Sequence, residues 1–546
     1  MKSIILVAFF TLISCTTKTV KLDPYCGDGS KNLEAEQCDG LDTGLASCES
    51  LGYYGGLLKC NTDCTFNELL CAANGRCGDG VLHDAEECDD DAFPEGETSC
   101  EDLGFTGGQL QCTEECLIDS RQCATCGDGI FDADGNEECD GNDFGETSCV
   151  TLGFWGGRLS CDTLCQINHS QCKNLQGVSA GYFFTCALTD TGEIYCMGAN
   201  TLSGRLGIGS SEPVVTPTST MVTDAVALSI GWDNGCYLNA DGDAFCWGDN
   251  RYGQVGDNTE TDRLSPAAVT HSGTGFASIS SGYGFSCAVD LEGTGYCWGA
   301  ALDGRLGNNV TGLATFSVPQ AVETTNLQGT LTRIAAGKQH ACALDVNGQA
   351  YCWGNNLGGK CGTGAAAANY TIPTPVSTTR VFTDICAGGN HSCTLDTLGA
   401  PWCWGDNSVG QLGNLATEGG VARDPVAVNG VNNVVFTSIA CAQTFESTLA
   451  YPSHTCALDS SGHIWCWGSG ALGQLGNGAT PDYSVVPVQV TRPVGVTFTS
   501  VTAGRDHTCA GDDSGQVWCW GSNEQHQIND STQAQFVEPV LIPSAL

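Results

Sequence analysis

The sequence predicts an all-β protein, a seven-bladed β-propeller preceded by an N-terminal stalk of small disulfide-rich modules. Three observations carry that prediction. The text Cys-Trp-Gly recurs at Cys246, Cys297, Cys352, Cys403, Cys466 and Cys519, with Cys196-Met197-Gly198 as a seventh copy, at spacings of 50, 51, 55, 51, 63 and 53 residues. Repetition at such a period marks one supersecondary unit copied in series. Between Cys26 and Cys172 stand 18 cysteines in three groups of six, each group under 50 residues long. Finally, the 546 residues carry 20 Lys+Arg against 62 Asp+Glu, a formal charge of -42, with 41% hydrophobic residues. That balance supports a folded, multi-unit chain and repels phosphate backbones and anionic headgroups, so nucleic acid is excluded as a partner.

Residues 1–14 read as an export signal. Lys2 precedes the apolar run Ile4 to Phe10, followed by Leu12-Ile13-Ser14-Cys15, a stretch too short to span a bilayer. The tetrad resembles a bacterial lipobox, which implies Cys15 as the lipidation site. Residues 15–25 are then the lipidated cysteine and a polar tether. The expected location is outside the cytoplasm, at the outer membrane or cell surface, with membrane contact through the lipid anchor alone. The 36 cysteines agree with an oxidising compartment.

Residues 26–172 form three tandem cysteine-rich repeats. Each shares Cys-Gly-Asp-Gly, Glu-Xaa-Cys-Asp, Ser-Cys and Leu-Gly-Xaa-Xaa-Gly-Gly-Xaa-Leu-Xaa-Cys-Xaa3-Cys, as from Cys126 to Cys165. Modules of this size bury too little apolar surface to fold unaided, so three disulfides each are expected, with the connectivity left open. Cys60-Xaa3-Cys64 is loosely zinc-like but lacks a second close pair, so no metal site is assigned. Asp28, Asp39, Asp79, Asp89, Asp128 and Asp140 recur at matching places. Calcium is the cofactor they could take, and turn capping is the alternative reading. The text resembles the myxobacterial-type cysteine-rich repeat of exported bacterial proteins, which implies display or interaction and no chemistry.

Residues 174–546 hold the seven repeats. Ten residues before each Cys of the Cys-Trp-Gly text stands another cysteine, pairing Cys186 with Cys196, Cys236 with Cys246, Cys287 with Cys297, Cys342 with Cys352, Cys393 with Cys403, Cys456 with Cys466 and Cys509 with Cys519. A glycine lies six residues past the first cysteine of each pair. Placed left-handed in a short hairpin loop, it sets the two cysteines opposite one another on antiparallel strands. Cys361, Cys386 and Cys441 are left over, an odd number, so at least one is a thiol or pairs elsewhere. A preceding strand ending in Ala-Gly or Ser-Gly, and a Pro-containing extended piece after Gly-Gln-Leu-Gly, complete four short strands per repeat. The Trp beside each cysteine faces the wedge between blades. Phe536 to Pro543 are expected to pair into the first blade and close the ring.

Ala-Gly-Xaa-Xaa-His-Xaa-Cys-Ala-Leu, Gly-Xaa-Xaa-Xaa-Cys-Trp-Gly and Gly-Gln-Leu-Gly together resemble the regulator of chromosome condensation repeat family. The resemblance implies a seven-bladed propeller. Its exported bacterial members include beta-lactamase inhibitory proteins that bind across the loop face, and its eukaryotic namesake exchanges nucleotide on a Ran-type GTPase. The last copy departs from the pattern at Gln525 to Ile528, and the sixth carries an insertion near Phe445 to Pro452.

His340, His391, His454 and His507 recur where other copies have Phe184, Asn234 and Phe285, so these imidazoles are read as structural. No Ser-His-Asp constellation, phosphate loop or paired-carboxylate motif stands out, and no catalytic residue is assigned: the chain is not read as an enzyme. Candidate partner-binding residues lie just past each strand-ending Gly, namely Tyr182, Phe183, Trp232 and Tyr283, with Lys338 and Arg505 in other copies. Aromatic residues on neighbouring loops are what an interface needs. The functional expectation is a surface-displayed lipoprotein that binds a protein or a surface glycan through the propeller loop face. A nucleotide-exchange regulator of a small GTPase and an inhibitor of a secreted enzyme are the alternatives.

Overall fold

The computed structural model describes residues 26–27, 31, 36–105, 107–124, 131, 137–416, 420–444 and 453–543. The export signal, Cys15, the tether, Asp28, Cys126, Asp128 and the insertion after residue 444 lie outside them. Two compact units emerge, one comprising residues up to Gly145 with Ser160–Asn168, the other Glu146–Leu159 with His169–Leu546.

Each cysteine-rich module is a set of turns with two-residue strands, such as Lys59–Cys60 against Phe66–Asn67. The connectivity that the sequence leaves open is Cys26–Cys64, Cys38–Cys60 and Cys48–Cys71 in the first module, repeated as Cys77–Cys116, Cys88–Cys112 and Cys100–Cys123 in the second. The third repeats Cys139–Cys161 and Cys149–Cys172. Cys60 and Cys64 are therefore both oxidised, and neither offers a thiolate to zinc. The recurrent aspartates hold turns. Asp89 is buried and accepts backbone N–H bonds from Gly78 at 3.0 Å and Asp79 at 3.2 Å; Asp39 accepts from Gly27 at 3.0 Å.

Seven four-stranded antiparallel sheets make the propeller, each strand pairing with its sequence neighbour. Blade 1 runs through Leu175–Ala180, Phe184–Thr189, Ile194–Gly198 and Val214–Ser219. Blade 7 runs through Phe498–Ala503, His507–Asp512, Val517–Ser522 and Gln535–Leu541. The second and third strands form the expected hairpin. Gly192, at φ 83°, takes the left-handed position, and Cys186 lies directly opposite Cys196. All seven in-blade disulfides form. Of the three remaining cysteines, Cys386 bonds to Cys441 and Cys361 is a buried thiol.

The Cys-Trp-Gly tryptophans are fully buried and wedge between blades as expected. Trp247 joins the cluster of Phe184, Leu206 and Ile230 and donates Nε1 to the Arg205 carbonyl at 2.8 Å. One expectation fails. Gln535–Leu541 pairs with Val517–Ser522 of its own blade, and among the described residues no strand crosses from the end of the chain into blade 1. The reason is that blade 1 already holds four strands of its own, so its third strand has Val214–Ser219 as a partner and no backbone edge is left for the chain end there.

The ring closes instead through the backbone bonds from the Leu175 N–H to the Gly515 carbonyl at 2.8 Å and from the Arg505 N–H to the Gly181 carbonyl at 3.1 Å, together with side chains. His507 Nε2 and Thr185 Oγ1 lie 2.9 Å apart, Thr185 donates to the Gln527 carbonyl at 2.7 Å, and the Ala180 N–H donates to Thr502 Oγ1 at 3.3 Å. This seam uses the same chemistry as the other junctions. On the innermost strands, Ser179, Ser229 and Ser280 hydroxyls accept the N–H of Ile230, Ser281 and Ala336 in the next blade. In blade 5 Cys386 occupies the corresponding place, and its disulfide to Cys441 replaces that latch.

The strand-ending glycine has a steric cause. A Cβ on Gly282 would sit 2.5 Å from the Gly337 carbonyl of the next blade, inside any tolerable contact. Only glycine lets the innermost strands converge on the shaft, whose lining residues enclose a cavity of about 230 Å³.

Candidate functional site

The strand-ending glycines put the following residues on one face of the disc, opposite the hairpins. There Tyr182, Phe183, Trp232 and Tyr283, about 50 residues apart in sequence from blade to blade, form one aromatic row. Tyr182 touches Phe183 edge-on at 4.4 Å and stacks on Trp232 at 4.3 Å, and Trp232 meets Tyr283 at 4.5 Å. Arg505 extends the row across the blade 7 to blade 1 seam, its guanidinium 4.7 Å from the Tyr182 ring and 4.6 Å from Phe183, within cation–π range.

Exposure divides the row into two roles. Tyr182, Phe183 and Tyr283 are half-buried, so each keeps ring surface for a partner. Trp232 is only 4% exposed and is held between two tyrosines. It is the spacer that orients the row, while its neighbours supply the contact surface. The row is thus both packing and a surface.

Lys338 lies beside two cations that the sequence reading does not single out, Arg305 and Lys360. Both stand at the second position of the Gly-Gln-Leu-Gly text, which reads Gly-Arg-Leu-Gly at 304–307 and Gly-Lys-Cys-Gly at 359–362. That replacement is the available signal. Gln is kept in blades 2, 5, 6 and 7; in blades 2 and 5 it bonds a carboxylate of its own blade, Gln254 Nε2 donating to Asp249 and Gln411 Nε2 to Asp406, each at 2.7 Å, and in blade 6 Gln474 Nε2 donates to Ser469 at 3.3 Å. The blades with a cation lack that carboxylate, having Ala199, Ala300 and Asn355 at its place.

Arg205 recovers an ion pair with Asp233 of the next blade at 2.6 Å. Burial lowers the Arg205 pKa and raises that of Asp233, each opposed by the partner's charge. Arg305 pairs with Asp303 at 3.4 Å and donates Nη1 to the Tyr283 carbonyl at 3.2 Å. Lys360 donates to the neutral Asn390, whose Oδ1 accepts at 3.0 Å. Burial, with repulsion from Lys338, pulls the Lys360 pKa down to about 8.

The four histidines are buried to 0% exposure, and each reaches a hydroxyl of the next blade: His340 to Ser392, His391 to Thr455, His454 to Thr508 and His507 to Thr185, all within 2.9 Å. Burial holds His391, His454 and His507 down to about 3, so they are neutral spacers in the inter-blade network. A general base needs access to solvent and a pKa near the working pH, and these have neither.

With this geometry in view, the model of the RCC1-like domain matches residues 143–491, and that of the regulator of chromosome condensation (RCC1) repeat matches residues 498–527. The chain belongs to the RCC1-like domain family. Among its relatives is the ultraviolet-B receptor UVR8 of Arabidopsis thaliana, 28% identical over 369 residues, which are 66% of this chain and 80% of the receptor. The human E3 ubiquitin-protein ligase HERC2 is 26% identical over 372 residues, 66% of this chain but 7% of the ligase. Among solved structures, yeast RCC1 (Prp20) bound to Kap60 superposes with a TM-score of 0.56 at 20% identity, covering 68% of this chain and 84% of that one. Human WBSCR16 superposes at 0.54, with 20% identity over 62% and 86% of the two chains. At that identity the superpositions establish the RCC1-like fold alone.

Proposed function

We propose that the protein is a non-catalytic, surface-displayed lipoprotein, held by Cys15, whose RCC1-like propeller binds a protein partner through its loop face. The observation that carries this reading is the row Tyr182, Trp232 and Tyr283, flanked by Phe183 and Arg505. Aromatic and Arg side chains held rigid on one face supply contact area at small cost in conformational entropy. The row presents ring edges and tyrosine rings at varied angles, with Tyr182 stacked on Trp232 and the other pairs edge-on or tilted, a mixed surface that suits a protein partner.

The family context agrees, since RCC1-like propellers are mostly non-catalytic. The solved yeast relative is described by its binding to Gsp1p and histones, and an exported protein would not meet intracellular partners of that kind. Inhibition of a secreted enzyme is a narrower form of the same binding reading.

The test has two parts. Protease treatment of intact cells should release the propeller, and Cys15→Ser should abolish membrane retention. Tyr182→Ala with Tyr283→Ala should weaken capture of extracellular or envelope proteins by the purified full chain at least about 30-fold, from about 2 kcal/mol per pair of anchors, with little change in melting. Retention in the cytosol, or capture unaffected by the double substitution, would contradict the reading.

A further inference from the structure

We infer that the propeller shaft holds one monovalent cation of potassium size under the Gln443 side chain, coordinated by Gln443 Oε1 and by backbone carbonyls of the innermost strands.

In an antiparallel pair, every second residue of a strand turns its N–H and C=O away from the partner strand. The Gly181 N–H donates to the Phe184 carbonyl of the second strand at 2.9 Å. Ala180, one residue back, therefore turns its own N–H and C=O the other way, and its N–H reaches Thr502 Oγ1. The matching bond recurs in every blade, as from the Gly231 N–H to the Asn234 carbonyl and from the Gly504 N–H to the His507 carbonyl. In three further blades the N–H so turned out, at Ile230, Ser281 and Ala336, is taken by a serine of the preceding blade. What remains toward the axis is oxygen. The seven residues in this position, from Ala180 round to Ala503, all line the one cavity of about 230 Å³.

Gln443 reads out those carbonyls and adds an oxygen to them. It stands in blade 6 where blades 1 and 2 have Tyr182 and Trp232, but follows Ala442 instead of glycine, and its side chain lines the shaft. Its Nε2 donates to the carbonyls of Ser281 at 3.4 Å and Ala336 at 3.1 Å, which belong to blades 3 and 4. Two acceptors on that side fix the orientation of the amide. Oε1 is then buried, with no hydrogen-bond partner among the described residues. An acceptor in that state is costly, and a cation satisfies it together with the remaining carbonyls.

The lining selects the charge of the ion. Among the described residues no Asp or Glu lines the cavity, whereas calcium sites draw on carboxylates. Rings of backbone carbonyls are what replaces the hydration shell of potassium. With the N–H groups of the innermost strands engaged, acceptors exceed donors, which suits a cation better than water. The chain's charge of -42 raises the local concentration of cations further.

The test is equilibrium dialysis of the oxidised full chain against rubidium chloride as the probe for potassium, in about 0.5 M N-methyl-D-glucamine chloride to screen diffuse binding to surface acids. One rubidium per chain is expected. Potassium should displace it, and calcium at the same concentration should not. Gln443→Met keeps the side-chain length and removes the amide; it should weaken rubidium binding about tenfold or more, the loss expected for one buried polar ligand, while melting stays a single cooperative transition. Asp241→Asn, on an exposed hairpin, should leave binding unchanged. If Gln443→Met does not fold, the ion selectivity of the unaltered chain decides. No stoichiometric rubidium, calcium displacing it as well as potassium does, binding retained in a folded Gln443→Met, or an equal loss in Asp241→Asn would each overturn the site.

Discussion

The seam between blades 7 and 1 is the one junction with no continuous chain across it, and Thr185→Val tests what holds it. Thr185 is 2% exposed, and its hydroxyl serves two partners, His507 Nε2 at 2.9 Å and the Gln527 carbonyl at 2.7 Å. Valine keeps the shape and removes both bonds. Each buried group left without a partner costs about 1–3 kcal/mol, and relaxation of the seam recovers part of that, so we expect about 2–4 kcal/mol of lost stability. Thr455→Val deletes the matching bonds to His391 and the Gln411 carbonyl, both at 2.9 Å. That junction joins consecutive blades and carries the Cys386–Cys441 disulfide, so it cannot separate. Denaturant titration should give similar losses for the two variants. Hydrogen exchange should distinguish them, with Leu175–Ala180 losing protection in Thr185→Val and the Cys386 strand staying protected in Thr455→Val. A loss below about 0.5 kcal/mol for Thr185→Val, or unchanged protection of Leu175–Ala180, would refute closure by this network.

Cys386→Ser with Cys441→Ser should lower stability by about 4 kcal/mol, the chain-entropy value for a loop of this size, less whatever the hydroxyl introduced on the innermost strand of blade 5 regains by latching the next blade as Ser179 does; denaturant titration reads it. Gly282→Ala should lower Tm, because the new Cβ meets the Gly337 carbonyl at 2.5 Å and overpacking of this kind costs about 1–3 kcal/mol. Lys360 has a folded pKa of about 8 against about 10.4 unfolded. Below pH ~8 it is charged in both states and its burial cost is fully present. From pH ~8 to ~10.4 the unfolded state binds the extra proton, so wild-type stability rises with pH relative to Lys360→Met, by up to about 3 kcal/mol. Non-reducing peptide mapping should recover Cys38–Cys60 and Cys88–Cys112, and the same spacing in the third module.

The blades are legible in the sequence because each is a local object. A hairpin with Gly192 left-handed fixes the cysteine register within about eleven residues, and the burial of the adjacent Trp follows from strand alternation. The aromatic row is legible for the same reason: equivalent loops of adjacent blades are neighbours whatever their sequence separation. Ring closure is not, because the text of Phe536 to Pro543 shows that a strand forms there, while its pairing depends on whether blade 1 already has four strands of its own. The cation cluster escapes a reading of single repeats because its meaning lies in a difference between them. Arg305 and Lys360 are ordinary in isolation and become informative only when set against Gln254 and Gln411, whose carboxylate partners are absent from blades 3 and 4. Module connectivity has about 15 solutions per module, and nothing in the spacing chooses among them.

The most direct measurement is site-specific photo-crosslinking of the full chain in the cells that make it. A photoreactive residue replaces Phe183 or Tyr283 on the loop face, or Asp241, exposed in a hairpin of the opposite face. The account predicts the same mass-shifted adduct from positions 183 and 283 and none from 241. An adduct from 241 alone, or none from either loop-face position, would contradict it.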